Sequence, residues 1–294
     1  MELEPSLPPL QVLLSDFSER HQLRFTELVK REKVAIQSLS IANILLNQGY
    51  SQLDELALTD PAVGLLLNLL HRNFEHVDAS IVALVSGSAS SAEIIARAGV
   101  ESSVNIMYIL AGDRAARLLA YFNHYLEGVD RQVEKWRVLV DQLGPDEAKI
   151  HHLAIDQRRI ANTALRRVVH ALGIRSLERW PPLIEQRFEA IGDSMAYRTF
   201  YARMSSEVHA DAEETLRYFV GEVADNGSFL EAMALESAWT SRFYIYFAVC
   251  FLLRATLAYT RSYSLLTVET RLKKELADVK LELIAISAHV GAKI

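Results

Sequence analysis

The stretch that decides the fold is the apolar run FYIYFAVCFLL at residues 243–253, which is bracketed by Arg242 and Arg254. Its aromatic side chains occupy nearly the whole circumference of a helix, and a helix that is apolar on every side has to be buried. The run is well short of the roughly 20 residues that cross a bilayer. It therefore predicts the buried core helix of a protein that does not enter the membrane.

The rest of the chain is also typical of a helical protein. Half of the 294 residues are hydrophobic, and the 12 Gly and 7 Pro cluster at a few points between long stretches rich in Leu, Ala, Glu and Arg. These are good helix formers. We expect an all-α fold, a multi-helix bundle of long antiparallel helices with a C-terminal helical arm. The predicted domains are a bundle at residues 10–266 and an amphipathic arm at residues 267–294.

Local signals place the ends of the predicted helices. Asp60-Pro61 combines a capping side chain with a proline in the first turn, and Ser90-Ser-Ala-Glu93 has capping-box spacing. Gly and Pro at residues 144–145 mark another break. The predicted helices span residues 15–47, 60–85, 90–110, 113–142 and 145–172, followed by short pieces and, after a turn at residues 225–228, a long helix ending near residue 264.

The C-terminal segment has a separate pattern of apolar residues at alternating spacings of three and four, typical of a coiled-coil seam. Two interpretations remain open: the helix packs back on its own bundle, or it forms a dimer contact. The seam consists of Leu272, Leu276, Val279, Leu283, Ile286 and Val290.

Charge and cysteine content restrict the partners and the compartment. The net charge of −6 excludes whole-surface attraction to nucleic acid or anionic lipid, so such binding requires a local basic patch. The single cysteine, Cys250, cannot form an intrachain disulfide and is expected to be a small core residue. The N-terminus lacks the pattern of a secretory signal. We expect a cytoplasmic protein.

A first polar cluster interrupts the apolar pattern of the third long helix. Arg97 and Glu101 are four residues apart, and Asn105 and Tyr108 continue the same helical stripe. A buried charge is costly unless it is paired. The cluster is therefore either an electrostatic clamp in a functional site or an internal ion pair that fixes the register of helices.

A second polar cluster follows about a hundred residues later. Tyr201, Ser205 and His209 share one face of a continuous helix. A Ser next to a His suggests a nucleophile and its base, but the chain has no Gly-flanked Ser turn of the hydrolase kind. The sequence therefore disfavours serine nucleophile catalysis.

Two further groups of polar residues have weaker functional implications. Arg158 and Arg166 align with Asn162 in a local basic stripe that either guides RNA or pairs with nearby carboxylates on a solvated face. His71 and Glu75 share a helical face, but no paired Glu-x-x-His motif is present. We predict no metal site and no cofactor.

The spacing of Arg203 and His209 resembles the Arg-x(4 to 6)-His motif of the HEPN superfamily, whose members include metal-independent ribonucleases. The resemblance implies that Arg203 stabilises the scissile phosphate and that His209 transfers protons, usually at a dimer interface. A straight helix would separate these two side chains by about 120°, so a kink or a second subunit is needed. Arg117 and His124 have a similar spacing.

Residues 60–260 also resemble a bacterial helical family of unknown function, the family numbered 5677. The resemblance rests on three features: Arg72, the segment Ala96-Arg97-x(3)-Glu101-Ser-x-Val-Asn105-x-x-Tyr108, and Tyr201-x(3)-Ser205-x-x-Val208-His209. It implies that Arg97, Glu101, Ser205 and His209 meet in one site.

These observations support two functional hypotheses. In the first, the protein is a HEPN-like ribonuclease of a toxin or antiphage system, a homodimer that acts on RNA. Its catalytic residues are Arg203 and His209 with Ser205, Glu101 and Arg97, and its substrate-binding residues are Asn105, Tyr108, Tyr201, Arg158 and Arg166. In the second, it is a non-enzymatic scaffold or sensor subunit that binds a protein encoded in the same operon.

Overall fold

The computed structural model describes residues 7–21, 27–172, 178–207 and 227–290, together with 216, 219–221 and 223. Every regular element in these residues is a helix, so the predicted all-α fold is confirmed. The chain folds into two units. Unit 1 comprises residues 1–110 and 184–294, and unit 2 comprises residues 111–183. The predicted division into a bundle at 10–266 and an arm at 267–294 does not coincide with these units.

Unit 1 contains eleven of the helices found in the described residues. A single 3₁₀ turn at Ser51–Leu53 and a π-helical turn at Tyr197–Tyr201 connect some of them. The helices are α1 (Leu10–Arg20), α2 (Glu27–Arg31), α3 (Lys33–Tyr50), α4 (Asp54–Thr59), α5 (Pro61–Val85), α6 (Ala89–Leu110), α9 (Ile184–Ala190), α10 (Ser194–Ala196), α11 (Ala202–Glu207), α12 (Gly227–Ser262) and α13 (Leu266–Val290).

Unit 2 is a hairpin of two long helices, α7 (Arg114–Val140) and α8 (Pro145–Ala171). The Asp113 carboxylate accepts a hydrogen bond from the Ala116 N–H at the start of α7, and a proline opens α8. Its small core contains an aliphatic cluster against which Trp136 packs. The cluster consists of Val129, Val133, Val140, Ala148 and Ile155.

The apolar run of the sequence lies in α12, which is surrounded by α3, α5, α6 and α13. Every residue at 243–253 is buried, including Cys250, whose burial raises the pKa of its thiol. By length and composition the segment Leu235–Ser262 is apolar enough to cross a membrane, but 89% of its most apolar window is buried inside the protein. Burial of this kind is what a core helix requires.

The predicted helix at residues 15–47 is wrong as a single element. The structure has α1, α2 and α3 in this region, with residues 22–26 outside the described part. The break between α2 and α3 falls at Glu32, whose backbone leaves the helical region (φ −94°, ψ 18°). Its carboxylate points inward to a residue far along the chain. The apolar periodicity that predicted one helix cannot indicate such a long-range partner.

That partner is Arg242 on α12, and the pair is buried. The Arg242 Nε lies 2.9 Å from one Glu32 oxygen and 3.0 Å from the other, and its Nη2 lies 2.8 Å from Glu282 on α13. Burial raises the pKa of Glu32, and Arg242 opposes this shift. The guanidinium therefore connects the α2–α3 junction, the core helix and the C-terminal helix.

The C-terminal helix α13 uses its predicted seam within the chain. Leu272, Val279 and Ile286 are buried, and the helix packs against α12 and α3. This is the first of the two interpretations that the heptad pattern left open. A dimer contact through α13 would have to use its other face, where Leu281 and Ile284 are exposed, and stays a prediction.

We predict that Gly99→Ala destabilises the protein although alanine is the better helix former. A Cβ at Gly99 would lie 2.8 Å from Cγ2 of Val77, because α5 and α6 approach closely there. Overpacking of this kind costs about 1–3 kcal/mol. Gly64→Ala is the matched control, since no atom lies within 4 Å of its added Cβ, and it should gain up to about 1 kcal/mol. Urea unfolding measures the free energy of unfolding of both variants. Failure of Val77→Ala to rescue Gly99→Ala would contradict the explanation.

We predict that Arg242→Met lowers the free energy of unfolding by up to about 3–5 kcal/mol, because the buried Glu32 carboxylate loses its hydrogen-bonded counter-charge and keeps only Arg31, 3.9 Å away. Adding Glu32→Gln should recover part of the loss, since the unpaired charge is then removed. Arg261→Met, which breaks a solvent-exposed pair with Glu269 of α13, is the control and should have a much smaller effect. Equal losses in both single variants would argue against this account.

Candidate functional site

The first polar cluster lies on α6, with its members at different depths. Tyr108 is buried, and Arg97, Glu101 and Asn105 are partly buried. The Nε of Arg97 and the Oδ1 of Asn105 are shielded from solvent and have no hydrogen-bond partner in the described part of the chain. Such groups are uncommon in protein interiors and require an explanation. The polar stripe predicted from the sequence therefore exists, and its side chains are not fully satisfied.

A π-helical turn brings the second cluster to the first. Residues Tyr197–Tyr201 form this turn, and the buried Tyr201 hydroxyl donates a 3.0 Å hydrogen bond to Oε2 of Glu101. Single π-helical turns are rare and occur frequently at functional sites. Two residues that are a hundred positions apart in the sequence are thus in direct contact. The functional role of this contact stays a prediction.

The electrostatics around Tyr201 keep its hydroxyl protonated. Burial and the negative charge of Glu101 raise the pKa of Tyr201 to about 12, and the Arg97 guanidinium opposes this shift. The Arg97 guanidinium carbon lies 5.8 Å from the centre of the Tyr201 ring, within the range of a cation–π contact. Near neutral pH, Tyr201 is therefore a hydrogen-bond donor and is unsuited to act as a base.

Arg187 on α9 is a further member of this cluster, and no motif in the sequence predicts it. Its Nη2 lies 3.8 Å from Oε1 of Glu101, and its side chain is only 6% exposed against 41% for Glu101. Glu101 is thus held by a buried cation on one side and a phenol on the other, with one edge open to solvent. Arg187 lies in a short helix between breaks at residues 181–182 and 192, where no periodic pattern distinguished it.

Aromatic packing fixes the position of the π-helical turn. The Phe188 ring contacts the rings of Tyr197, Tyr201 and Phe251, so it joins α9 to the turn and to the core helix. Arg254 of α12 forms an ion pair with Asp193 at the start of this segment. No local pattern in the sequence indicates this pair, because its members are 61 residues apart. Packing and ion pairing together hold Tyr201 against Glu101.

The remaining residues of the second cluster continue from Tyr201 into α11. Arg203 is exposed, Ser205 is half-buried, and α11 contacts α6. His209 lies outside the described residues, so the structure does not place it relative to Arg203 or Ser205. It therefore stays a prediction that Arg97, Glu101, Ser205 and His209 meet in one site. Of these four residues, the structure describes contacts of Arg97 and Glu101, both with Tyr201.

The predicted basic stripe lies on α8 in unit 2. Arg166 forms an ion pair with Asp130, which also accepts a hydrogen bond from the buried Asn162, and Arg159 forms an ion pair with Glu134. Two of these arginines are thus engaged by carboxylates of α7. Arg158 is exposed. The stripe was predicted either to pair with nearby carboxylates or to bind RNA. Arg166 does pair with a carboxylate, and a contact of Arg158 with RNA stays a prediction.

The described ranges contain no group of three or more His, Cys, Asp or Glu side chains arranged to hold a metal ion. The Asp78 carboxylate, seven residues after His71 on α5, lies 2.7 Å from Nε2 of His21 and so links the end of α1 to α5. The Nε2 of His71 is buried without a hydrogen-bond partner in the part of the chain that the structure describes.

Fold and site together define an all-helical protein in which an arginine–glutamate–tyrosine network joins α6 to a π-helical turn. The family model described as "Family of unknown function (DUF5677)" matches residues 63–228, more than half of the chain. This protein belongs to that family, and the resemblance noted from its polar clusters is confirmed. Comparisons with the curated proteins and with the solved structures give no match.

We predict that Tyr201 and Glu101 are energetically coupled. Tyr201→Phe removes the hydroxyl that donates to Glu101, and Glu101→Gln replaces the charged carboxylate acceptor by a neutral amide. A double-mutant cycle should give a coupling of about 1 kcal/mol, the size of a typical hydrogen bond. Tyr197→Phe, which keeps its ring stacked on Tyr201, is the control and should show no coupling with Glu101→Gln. Additive effects of Tyr201→Phe and Glu101→Gln in urea unfolding would refute the prediction.

Proposed function

We propose that this protein is a HEPN-like ribonuclease that cleaves RNA without a metal ion, in a toxin or antiphage setting. Arg203 binds the scissile phosphate, and His209 transfers protons. The observation that carries the proposal is the place of Arg203. It is exposed on α11, two residues after the Tyr201 hydroxyl that is bonded to Glu101. A cation that binds phosphate has to be accessible, and its helix has to be held in place.

The proposed reaction uses the substrate's own 2′-hydroxyl as the nucleophile. The 2′-oxygen attacks the adjacent phosphorus while the bond from phosphorus to the 5′-oxygen breaks, which gives a 2′,3′-cyclic phosphate and a free 5′-hydroxyl. The His209 imidazole takes the proton from the 2′-hydroxyl and returns it to the leaving 5′-oxygen, since imidazole titrates near neutral pH. Arg203 stabilises the charge that develops on the phosphoryl oxygens.

Arg97, Glu101 and Ser205 have supporting roles in this proposal. Tyr201 is bonded to Glu101 and packed by Arg97, so these two residues of α6 orient the segment that leads into Arg203. Because burial keeps Tyr201 protonated, the proton-transfer role falls to His209 rather than to the phenol. Asn105, which is partly exposed on α6, is a proposed RNA contact. Tyr108 and Tyr201 are buried and Arg166 is paired with Asp130, so these three residues are not proposed to contact RNA. A contact of Arg158 of unit 2 with RNA is a separate prediction.

A second candidate function is a non-enzymatic scaffold or sensor subunit that binds a protein partner. The observation that favours it is that Glu101 is held by Tyr201 and by the buried Arg187 inside unit 1. A network of this kind also serves a structural purpose, because it fixes α6 relative to α9 and the π-helical turn.

The experiment compares RNA cleavage by the wild type, Arg203→Ala and His209→Ala in the presence of EDTA. Each substitution should lower the rate by at least about 100-fold, which is the lower range for loss of an acid–base or charge-stabilising group. The melting temperature should change little. RNA with a single 2′-deoxy residue at the cleavage position should not be cut there, because it lacks the nucleophile.

His124→Ala is the matched control, since Arg117 and His124 have a similar spacing but Arg117 is paired with Glu178 in unit 2. It should retain full activity. An unchanged rate in His209→Ala would exclude the ribonuclease proposal. A large loss of stability in His209→Ala, with no cleavage by the wild type on any RNA tested, would support the scaffold instead.

A further inference from the structure

Helix α8 has an exposed apolar face in addition to the face that packs on α7. We call this exposed face the α8 stripe. Its large side chains are 46–73% exposed, and Ala161 and Ala164 lie between them. Single exposed apolar residues are ordinary, but a contiguous row of them on a protein surface marks an interaction site. The large members of the stripe are Ile150, Leu153, Ile160, Leu165 and Val168.

The α8 stripe is separate from the core of the hairpin. Ala148, Ile155 and Asn162 of α8 are buried against α7, at intervals of seven residues. At 100° per residue, these three positions lie on the side of the helix opposite to Ile150 and Val168. The hairpin therefore buries one side of α8 and leaves the other side without a partner in the described residues.

The spacing within the α8 stripe is that of a helix-packing seam. Residues 150, 153, 157, 160, 164 and 168 follow one another at intervals of three or four, and the seam from Ile150 to Val168 is about 27 Å long at 1.5 Å per residue. The small residues Ala161 and Ala164 allow close approach of a second helix. The single polar position in the seam is Gln157, near its middle.

The charges of α8 indicate which helix fits this seam. Residues 145–157 contain Asp146, Glu147 and Asp156 against Lys149, a net charge of −2, and residues 158–171 contain four arginines, a net charge of +4. Two of the arginines are paired with α7, which leaves +2 from Arg158 and Arg167. When two copies of α8 pack in antiparallel orientation, the half with net charge −2 in each copy therefore lies against the half with net charge +2 in the other.

We propose that the α8 stripe is the interface of an antiparallel homodimer, in which α8 of one protomer packs on α8 of its partner about a two-fold axis. A two-fold contact uses the same patch on both protomers, as this self-complementary charge pattern requires. A membrane surface fits less well. The stripe contains no Trp, Tyr or Phe, and its N-terminal half is negative where an anionic lipid surface would repel it. The interface contains neither Arg203 nor His209, so its test is separate from the test of RNA cleavage.

The first experiment measures the mass of the full-length protein in solution by light scattering. The wild type should be a dimer, and Leu153→Glu/Ile160→Glu should raise its dissociation constant at least about 100-fold, because carboxylates would be buried unpaired in the contact. Both positions are exposed in the protomer, so circular dichroism should be unchanged. Leu281→Glu/Ile284→Glu, on the exposed face of α13, is the control and should leave the dimer intact.

The second experiment tests the antiparallel orientation by cysteine cross-linking. In an antiparallel contact, residue 150 of one protomer lies next to residue 168 of the partner, and the two copies of residue 150 are about 27 Å apart. An equimolar mixture of Ile150→Cys and Val168→Cys should therefore form a disulfide-linked dimer on mild oxidation, and neither variant alone should do so. The native Cys250 is buried and does not compete.

Several outcomes would overturn the proposal. A monomeric wild type at concentrations up to about 100 µM excludes a stable interface at this site, because it puts the free energy of association above about −5.5 kcal/mol. Loss of the dimer in the α13 variant but not in the α8 variant assigns the interface to the C-terminal helix. Cross-linking of Ile150→Cys with itself shows a parallel contact. Vesicle binding by the wild type that Leu153→Glu/Ile160→Glu abolishes, without a dimer, assigns the stripe to a membrane surface.

Discussion

The constraint on which unit 1 depends is that residues 243–253 of α12 are apolar on nearly the whole circumference of the helix. Such a helix is stable in water only when other helices cover every side, and α3, α5, α6 and α13 do so. Arg242 is a charged residue in the buried part of this helix, and it is accommodated because Glu32 and Glu282 approach from two different elements. The core helix can therefore be buried only when the segments that carry Glu32 and Glu282 are correctly placed beside Arg242.

The same constraint explains why polar residues on α6 are held so firmly. One side of α6 packs on α12 and α5, where Gly99 lets the backbones approach closely. The side that carries Arg97 and Glu101 faces α9 and the π-helical turn instead. Because the first side fixes the helix, Glu101 has little freedom to move away from Tyr201. A rigid helix such as α6, with one polar edge, is a suitable base for a binding site.

The helix ends were predictable from sequence where the signals are local. Asp60-Pro61, Asp113 and Gly144-Pro145 each carry the capping or breaking residue within the turn that they start, and the starts of α5, α7 and α8 agree with prediction to within a residue. The break at Glu32 and the role of Arg187 were not predictable, because each depends on a partner that only folding brings near.

The two polar clusters were predictable, because charge inside an apolar pattern is itself a local signal. Their contact through Tyr201 was not predictable from spacing, since a π-helical turn shifts the register of the face that leads to it.

Unit 2 is stabilised differently from unit 1. Two helices alone bury little apolar surface, and the core cluster between α7 and α8 consists of small and medium side chains against Trp136. Its two helices are also joined by pairs such as Arg166 with Asp130, which is largely exposed and contributes little to stability. A hairpin of this kind gains most from covering its second apolar face, because each buried methylene adds about 0.8 kcal/mol. Since that face is a continuous seam rather than scattered residues, a second helix of matching length satisfies it best, and the opposite charges of the two halves of α8 favour a copy of the same helix in reverse.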